Sequence, residues 1–269
     1  VFSTADTDSL SFLKIHPSAV VDPRAELGEE VEIGPLAIVE AGARLGRGCI
    51  IRGHAQLVGQ VTLGEGCEIG HGAIIGADPQ DLGFDRRIGS GVIIGSHNVI
   101  REHVTIHRST REGGATRMGD RNLLMVGCHL GHDVEIGGSN ILANGSMLGG
   151  HVHLGSGAFL GGGTGVHQFV RLGDRCMAQG NASISQDVPP YVLVADTNRI
   201  CGLNVVGMRR AGFTAATRAN VKDAFHRIYL AKLNLQEALE STVADEWVPE
   251  ALAFIDFFRV PSKRGICHP

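Results

Sequence analysis

Four histidines carry most of the chemistry this sequence offers: His129, His132, His151 and His167. His132 is followed by Asp133, a minimal pair of base and orienter. An imidazole can take a hydroxyl proton near neutral pH, and a neighbouring carboxylate can fix its tautomer and stabilise the cation that forms. Adjacency in sequence leaves that hydrogen bond open. Gly149-Gly150 precedes His151, and backbone N–H groups there would be unshielded by side chains, as an oxyanion donor requires. No serine or cysteine elbow of the kind used in covalent routes stands beside the pair. Direct attack by a substrate hydroxyl on an activated acyl carbon is then the simplest scheme.

These residues can act together only if the fold gathers them, and the chain's period supplies a way. Ile33, Val39, Leu45, Ile51, Leu57, Leu63 and Ile69 are aliphatic and six apart, and the series runs from Ile15 to Ile75. Two residues before most of them sits a smaller side chain such as Ala37, Ala43 or Cys49. The pattern breaks over 77–91 and again over 107–117, then runs unbroken from Met118 through Leu130, Leu148 and Val166 to Ile184. A helix would space its apolar residues by three and four, and a meander would need turns of irregular length. A short strand with two inward side chains and a glycine-tolerant corner, repeated every six residues, is the hexapeptide β-helix. In the repeat proteins that this pattern resembles, three hexapeptides close one triangular coil, and the coil winds left-handed against the usual crossover sense. Residues eighteen apart then stack about 4.8 Å apart. On that spacing His129, His132, His151 and His167 flank one edge over about three coils. A lone histidine at such a corner is ordinarily a solvated turn residue, as we read His16, His54, His71 and His153; four along one edge point to a site. The two breaks read as loops inserted at corners, where a solenoid can carry function without disturbing its core. The first contains Asp78-Pro79-Gln80-Asp81-Leu82; the second carries Arg108 and Arg111.

The expected fold is mainly β: a left-handed parallel β-helix over 15–190, after an N-terminal extension over 1–14, with a C-terminal helical domain over 191–269. Asp187-Val188-Pro189-Pro190 stops the strand pattern, a helix begins near Thr214, and another runs roughly Pro249–Phe258. Composition agrees. The 269 residues include 38 glycines against ten Phe, two Tyr and one Trp, so the core must be aliphatic and the backbone must turn often. A net charge of −4 without a basic run argues against a nucleic-acid partner. No stretch of about 18 apolar residues and no basic leader is present, so we expect no membrane insertion and a cytoplasmic protein. Six cysteines lack C-x-x-C spacing; Cys49 and Cys67 occupy the small inward slot and read as reduced and structural.

The strings Gln80-Asp81-Leu82, Val104-Thr105-Ile106-His107-Arg108, His132-Asp133, Gly150-His151-Val152, Val166-His167-Gln168-Phe169 and Gln186-Asp187-Val188-Pro189-Pro190-Tyr191 resemble the UDP-N-acetylglucosamine O-acyltransferase family. The likeness covers roughly Ile15 to Gly265 and includes the ending Ser262-Lys263-Arg264-Gly265. It implies that an (R)-3-hydroxyacyl chain passes from acyl carrier protein to the glucosamine 3-hydroxyl of UDP-N-acetylglucosamine, the first step of lipid A biosynthesis. It also implies a homotrimer with sites between subunits, and no cofactor or metal. His132 would be the general base, Asp133 its partner and Gly150 the oxyanion donor. Gln80 would lie in the substrate site; Asp81 would contact the sugar; His129, His151, His167 and Gln168 would line the sugar and phosphate site; Asn204 and Arg210 would meet the nucleotide. Gly180 would mark the end of the acyl groove, where the absence of a side chain favours roughly fourteen carbons over ten; its alternative role is a corner that needs positive φ. Gly83, Val206 and Ala211 depart from the lysine, glutamate and arginine expected there, and a 3-amino sugar acceptor stays open. The rivals are an N-acyltransferase of the same pathway, usually with a further N-terminal domain, a trimeric zinc hydrolase using the histidines as ligands, and a non-enzymatic scaffold.

Overall fold

The structure, a computed structural model, describes residues 14–243 and 245–269. The expected N-terminal extension therefore lies outside the described residues except for Lys14, which opens the first strand, Lys14–Ile15. Three sheets of eleven, nine and eight strands, parallel except for the last pair of the largest, form the faces of a prism, a left-handed parallel β-helix capped by helices. Most strands are only two residues long, one side chain pointing out and one large aliphatic pointing in. On one face Ile33, Ile51, Ile69, Ile100, Leu124, Leu142, Leu160 and Ala178 stack in register, and all are buried. Burying such side chains is worth about 1.5–3 kcal/mol each, repeated at every rung.

Corners complete each coil, and many use a residue in the left-handed region: Asp133, His151 and Phe169 have φ of 58°, 60° and 68°. The amide of His151 donates to the carbonyl of His132 in the coil before, and that of Phe169 to Gly150, so the corners stack as tightly as the strands. On another edge Asn98, Asn122 and Asn140 replace the small inward residue, and each side-chain oxygen accepts a backbone N–H from the next coil at 2.8–2.9 Å.

The insertions are shorter than their sequence breaks. Ala77 still pairs with His107, and Gly91 pairs with both Gln60 and Ala115, so the loops are 78–90 and 108–114. Val92 and Thr116 hold the small inward slot there, a pattern the Gly- and Arg-rich flanks obscured. The diprolyl stop is followed by more sheet than expected: Val192–Ala195 pairs parallel with Met177–Ala178, and Arg199–Leu203 returns antiparallel beside it.

Four helices follow: α1 (Val205–Arg210), α2 (Ala215–Tyr229), α3 (Leu235–Glu240) and α4 (Pro249–Arg259). Thr214 caps α2 by accepting from the Thr217 amide, as its residue type predicts. Val221, Ala224, Phe225 and Ile228 of α2 and Ala251, Phe254, Ile255 and Phe258 of α4 form one buried helical core. The short α1 and α3 lack an apolar face long enough to reveal them in sequence.

Candidate active site

The strand His129–Leu130 and the corner Gly131-His132-Asp133 supply the centre of the site. Below it lies Thr105–His107, and above it Met147–Leu148 with the corner Gly149-Gly150-His151. The His132 Nδ1 lies 2.9 Å from Asp133 Oδ2, which is the bond that adjacency alone left open. The other edge of the ring faces Gly150: a methyl group on Gly150 would sit 2.6 Å from His132 Nε2, so only glycine lets the imidazole lie there. Among the described residues no acceptor within the chain engages the Gly150 N–H.

Asp133 is fully buried, and burial alone would raise the pKa of its carboxyl; hydrogen bonds from Ser109, Thr110 and His132 outweigh that and hold it well below the usual carboxylate range. Its oxygens receive Ser109 Oγ at 2.5 Å, Thr110 Oγ1 at 2.7 Å, the Thr110 amide at 3.1 Å and Arg111 Nε at 3.0 Å, besides the His132 ring. Thr116 Oγ1 accepts from the Asp133 amide at 2.9 Å, which fixes the left-handed corner.

Around this pair stand further imidazoles. His151 meets His132 edge-on at 5.0 Å and stacks on Phe169 at 4.6 Å. His129 shares a hydrogen bond with Thr105 Oγ1 at 2.8 Å and meets the buried His107 edge-on at 4.8 Å. Burial lowers the pKa of His107 to about 4, helped by the charges His129 and His132 can carry. Burial is also the main cause lowering His129 and His151, so the neutral form is favoured in all three.

His132, Asp133 and His151 each offer an atom within 4.8 Å of the others, the spacing of a metal triad. The carboxylate of Asp133, however, already receives five protein donors on about four lone-pair sites, one of them the Arg111 cation. That donor set fits an orienting carboxylate and does not fit a metal ligand.

The remaining candidates are spread out. Gln80, Asp81 and Gly83 lie on an exposed loop whose tip, Leu82, is fully solvent-accessible. His167 and Gln168 sit one coil above His151, held by Arg264, whose guanidinium donates to His167 Nδ1 and, at 3.0 Å, to the Gln168 carbonyl. Gly180 follows the strand Met177–Ala178 on a different face of the prism from the strand that leads into His132, so it stands at another corner, between two and three coils higher and about 13 Å along the prism. Asn204 is buried with its amide committed to α1: its Oδ1 accepts from Gly207 at 2.9 Å and its Nδ2 donates to the Arg175 carbonyl at 2.9 Å. Arg210 is exposed in the last turn of the same helix. His107, Ser109, Thr110 and Arg264 are the site residues to which sequence reasoning gave no role. Register could have found two of them, since Ile106 pairs with Leu130 and the residues after one corner must therefore underlie those after the other.

Residues 187–267 match the family described as UDP-N-acetylglucosamine O-acyltransferase, domain 2. The acyl-[acyl-carrier-protein]–UDP-N-acetylglucosamine O-acyltransferase of Syntrophobacter fumaroxidans is 39% identical over 258 residues, spanning 94% of this chain and 99% of the relative. That of Ralstonia nicotianae is 44% identical over 265 residues, spanning 94% and 97%. The chain belongs to the UDP-N-acetylglucosamine O-acyltransferase family. Solved members superpose along most of the length. The Francisella novicida acyltransferase aligns with a TM-score of 0.90 at 34% identity over 95% of this chain and 94% of that one. The Campylobacter jejuni acyltransferase gives 0.89 at 35% identity over 95% and 100%. The O-acyltransferase family thus accounts for both the prism and the helical cap, and the scaffold, zinc-hydrolase and N-acyltransferase readings fall away.

Proposed function

We propose that this acyltransferase moves an (R)-3-hydroxyacyl group from its thioester on acyl carrier protein to the glucosamine 3-hydroxyl of UDP-N-acetylglucosamine, the opening step of lipid A biosynthesis. The observation that carries the reading is the His132–Asp133 pair with the bare Gly150 against the free edge of the imidazole. His132 Nε2 accepts the hydroxyl proton as the oxygen attacks the thioester carbon. The new O–C bond leaves negative charge on the former carbonyl oxygen, which the Gly150 N–H stabilises. Collapse breaks the C–S bond, and the departing thiolate takes the proton back from His132. The nearest side-chain hydroxyl below the pair, Ser109, donates to Asp133, which favours this direct route over a covalent one.

On this reading His129, His151, His167 and Gln168 contact the sugar and phosphates, and Gln80 and Asp81 approach the acceptor. Arg210 meets the nucleotide, and Asn204 serves that end through the helix it caps. The acyl chain runs toward Gly180. Among the described residues no helix is long and apolar enough to cross a membrane. Incubating the protein with UDP-N-acetylglucosamine, its 3-amino analogue and mixed hydroxyacyl carrier proteins should give, by mass spectrometry, a 3-O-acylated UDP-N-acetylglucosamine. A product formed only on the amino sugar would replace the acceptor, and no acylated nucleotide at all would overturn the reading.

The active assembly is a homotrimer. Leu123, Ile141, Phe159 and Met177 form a partly exposed apolar stripe up one face of the prism, and Leu82 projects bare from the acceptor loop. Neighbouring copies covering these surfaces would also close the open histidine edge. Sedimentation with parallel assay should find activity in the trimer and its loss on dissociation; an active monomer would contradict this.

A further inference from the structure

The two loops inserted into the prism are braced on each other as well as on the core. Arg108, at the start of 108–114, reaches into loop 78–90, where its Nε donates to Asp78 Oδ1 at 2.9 Å and its terminal nitrogens donate to the carbonyls of Arg86 and Ile88. Its guanidinium also lies 4.7 Å over the Phe84 ring and is only 13% exposed. Ser90 donates to the Ser109 carbonyl, the Gly113 amide to the Gly89 carbonyl at 2.7 Å, and the Gly89 amide to Glu112 at 2.9 Å. The next three residues, Ser109, Thr110 and Arg111, then place four donors on the carboxylate of Asp133. One short segment therefore grips the acceptor loop at one end and the orienting carboxylate at the other.

We infer that Arg108–Arg111 is a positioning strap: Ser109, Thr110 and Arg111 aim Asp133, and through it His132, while Arg108 ties that aim to the position of the acceptor loop. The inference rests on the function proposed above and assigns these residues roles that act through Asp133 and the acceptor loop. The donors matter because a buried carboxylate with one donor fewer can swing toward the vacant side, and His132 turns with it. Hydrogen bonds to a charged group are about twice as strong as neutral ones, so losing one should show in turnover. Arg108 cannot be replaced by lysine without loss, because a point charge cannot serve a carboxylate, two carbonyls and an aromatic face together.

The test is a set of four variants with kcat and the KM of each substrate measured separately, alongside thermal melts and His132→Ala as reference. Thr110→Val keeps the shape and deletes one donor; Arg111→Gln alters a side chain that is 62% exposed and should fold normally. Each should lower kcat by about 10–100-fold with both KM values nearly unchanged, and Thr110→Ser should restore it. Arg108→Lys should lower kcat and raise the acceptor KM together, each by about 3–10-fold. A folded Thr110→Val or Arg111→Gln with normal kcat, while His132→Ala is inactive, overturns the strap and leaves the proposed function standing. An unchanged acceptor KM in Arg108→Lys removes its link to the acceptor loop. If His132→Ala itself turns over normally, the underlying reading fails and the strap with it.

Discussion

Replacing His132 with alanine should lower kcat on the order of 10²–10⁴-fold, the range for a positioned general base. The variant should fold: the ring lies at a partly exposed corner, and among the described residues its polar contact is the bond to Asp133. Asp133→Ala would be a poorer test, because it strands the Ser109 and Thr110 donors in a buried cradle and confounds chemistry with stability. The sign of the pH dependence follows from the same cradle. The carboxyl is depressed in the folded protein, so its stabilising contribution is complete above its ordinary unfolded value of about 3.9 and is lost only as pH falls through the lower folded value. Asp133 therefore stays charged across any working pH, and loss of activity with His132→Ala at pH 7 reports the base. Steady-state assays with circular dichroism melts decide it; near-normal turnover in a folded protein would sink the assignment.

The parts of this molecule that were legible in its sequence are those the fold must repeat. Each coil needs one large and one small inward residue, so Leu130, Leu148 and Val166 announce the prism, and they bring His129, His132 and His151 together by arithmetic alone. The strap is illegible for the opposite reason: Ser109 and Thr110 answer to a single carboxylate one coil above, and no period predicts a contact made once. Arg264 is similar, reaching His167 from the end of the chain across 97 positions. Pro189-Pro190 interrupts the hexapeptide pattern without ending the sheet: Val192–Ala195 still pairs parallel with Met177–Ala178, and the hairpin it forms with Arg199–Leu203 has only two strands and leaves no repeat to detect. Asn204 illustrates a different limit. A polar residue beside a predicted nucleotide site reads as a ligand, whereas here it caps a helix, a role its residue type serves equally well.

Gly180→Met should invert the preference for donor length. If the wild-type groove accepts roughly fourteen carbons, four methylenes at about 0.8 kcal/mol each separate that donor from a ten-carbon one, a ratio on the order of 10²-fold. In the proposed trimer, where a neighbouring copy walls the groove, methionine at this position would fill the space those methylenes occupy and leave the shorter donor favoured, because added volume in a packed slot is itself costly. The rival role for this glycine, a corner needing positive φ, does not survive the backbone: the left-handed residue of that corner is Asn181, with φ 59°, and Gly180 is not among the positive-φ glycines. A Cβ at Gly180 would meet the Gly162 carbonyl oxygen at 3.2 Å and the Gly162 nitrogen at 3.8 Å, so a few tenths of an ångström of movement accommodates it. The glycine is exposed in the single chain, which leaves the rest of a methionine side chain free to extend away from the prism. Stability should thus change little while selectivity changes greatly, a separation that a structural glycine could not give. Competition between ten- and fourteen-carbon hydroxyacyl carrier proteins, read as the ratio of products from wild type and variant, measures it; an unchanged ratio in a variant with a normal melt would mean that the groove ends elsewhere.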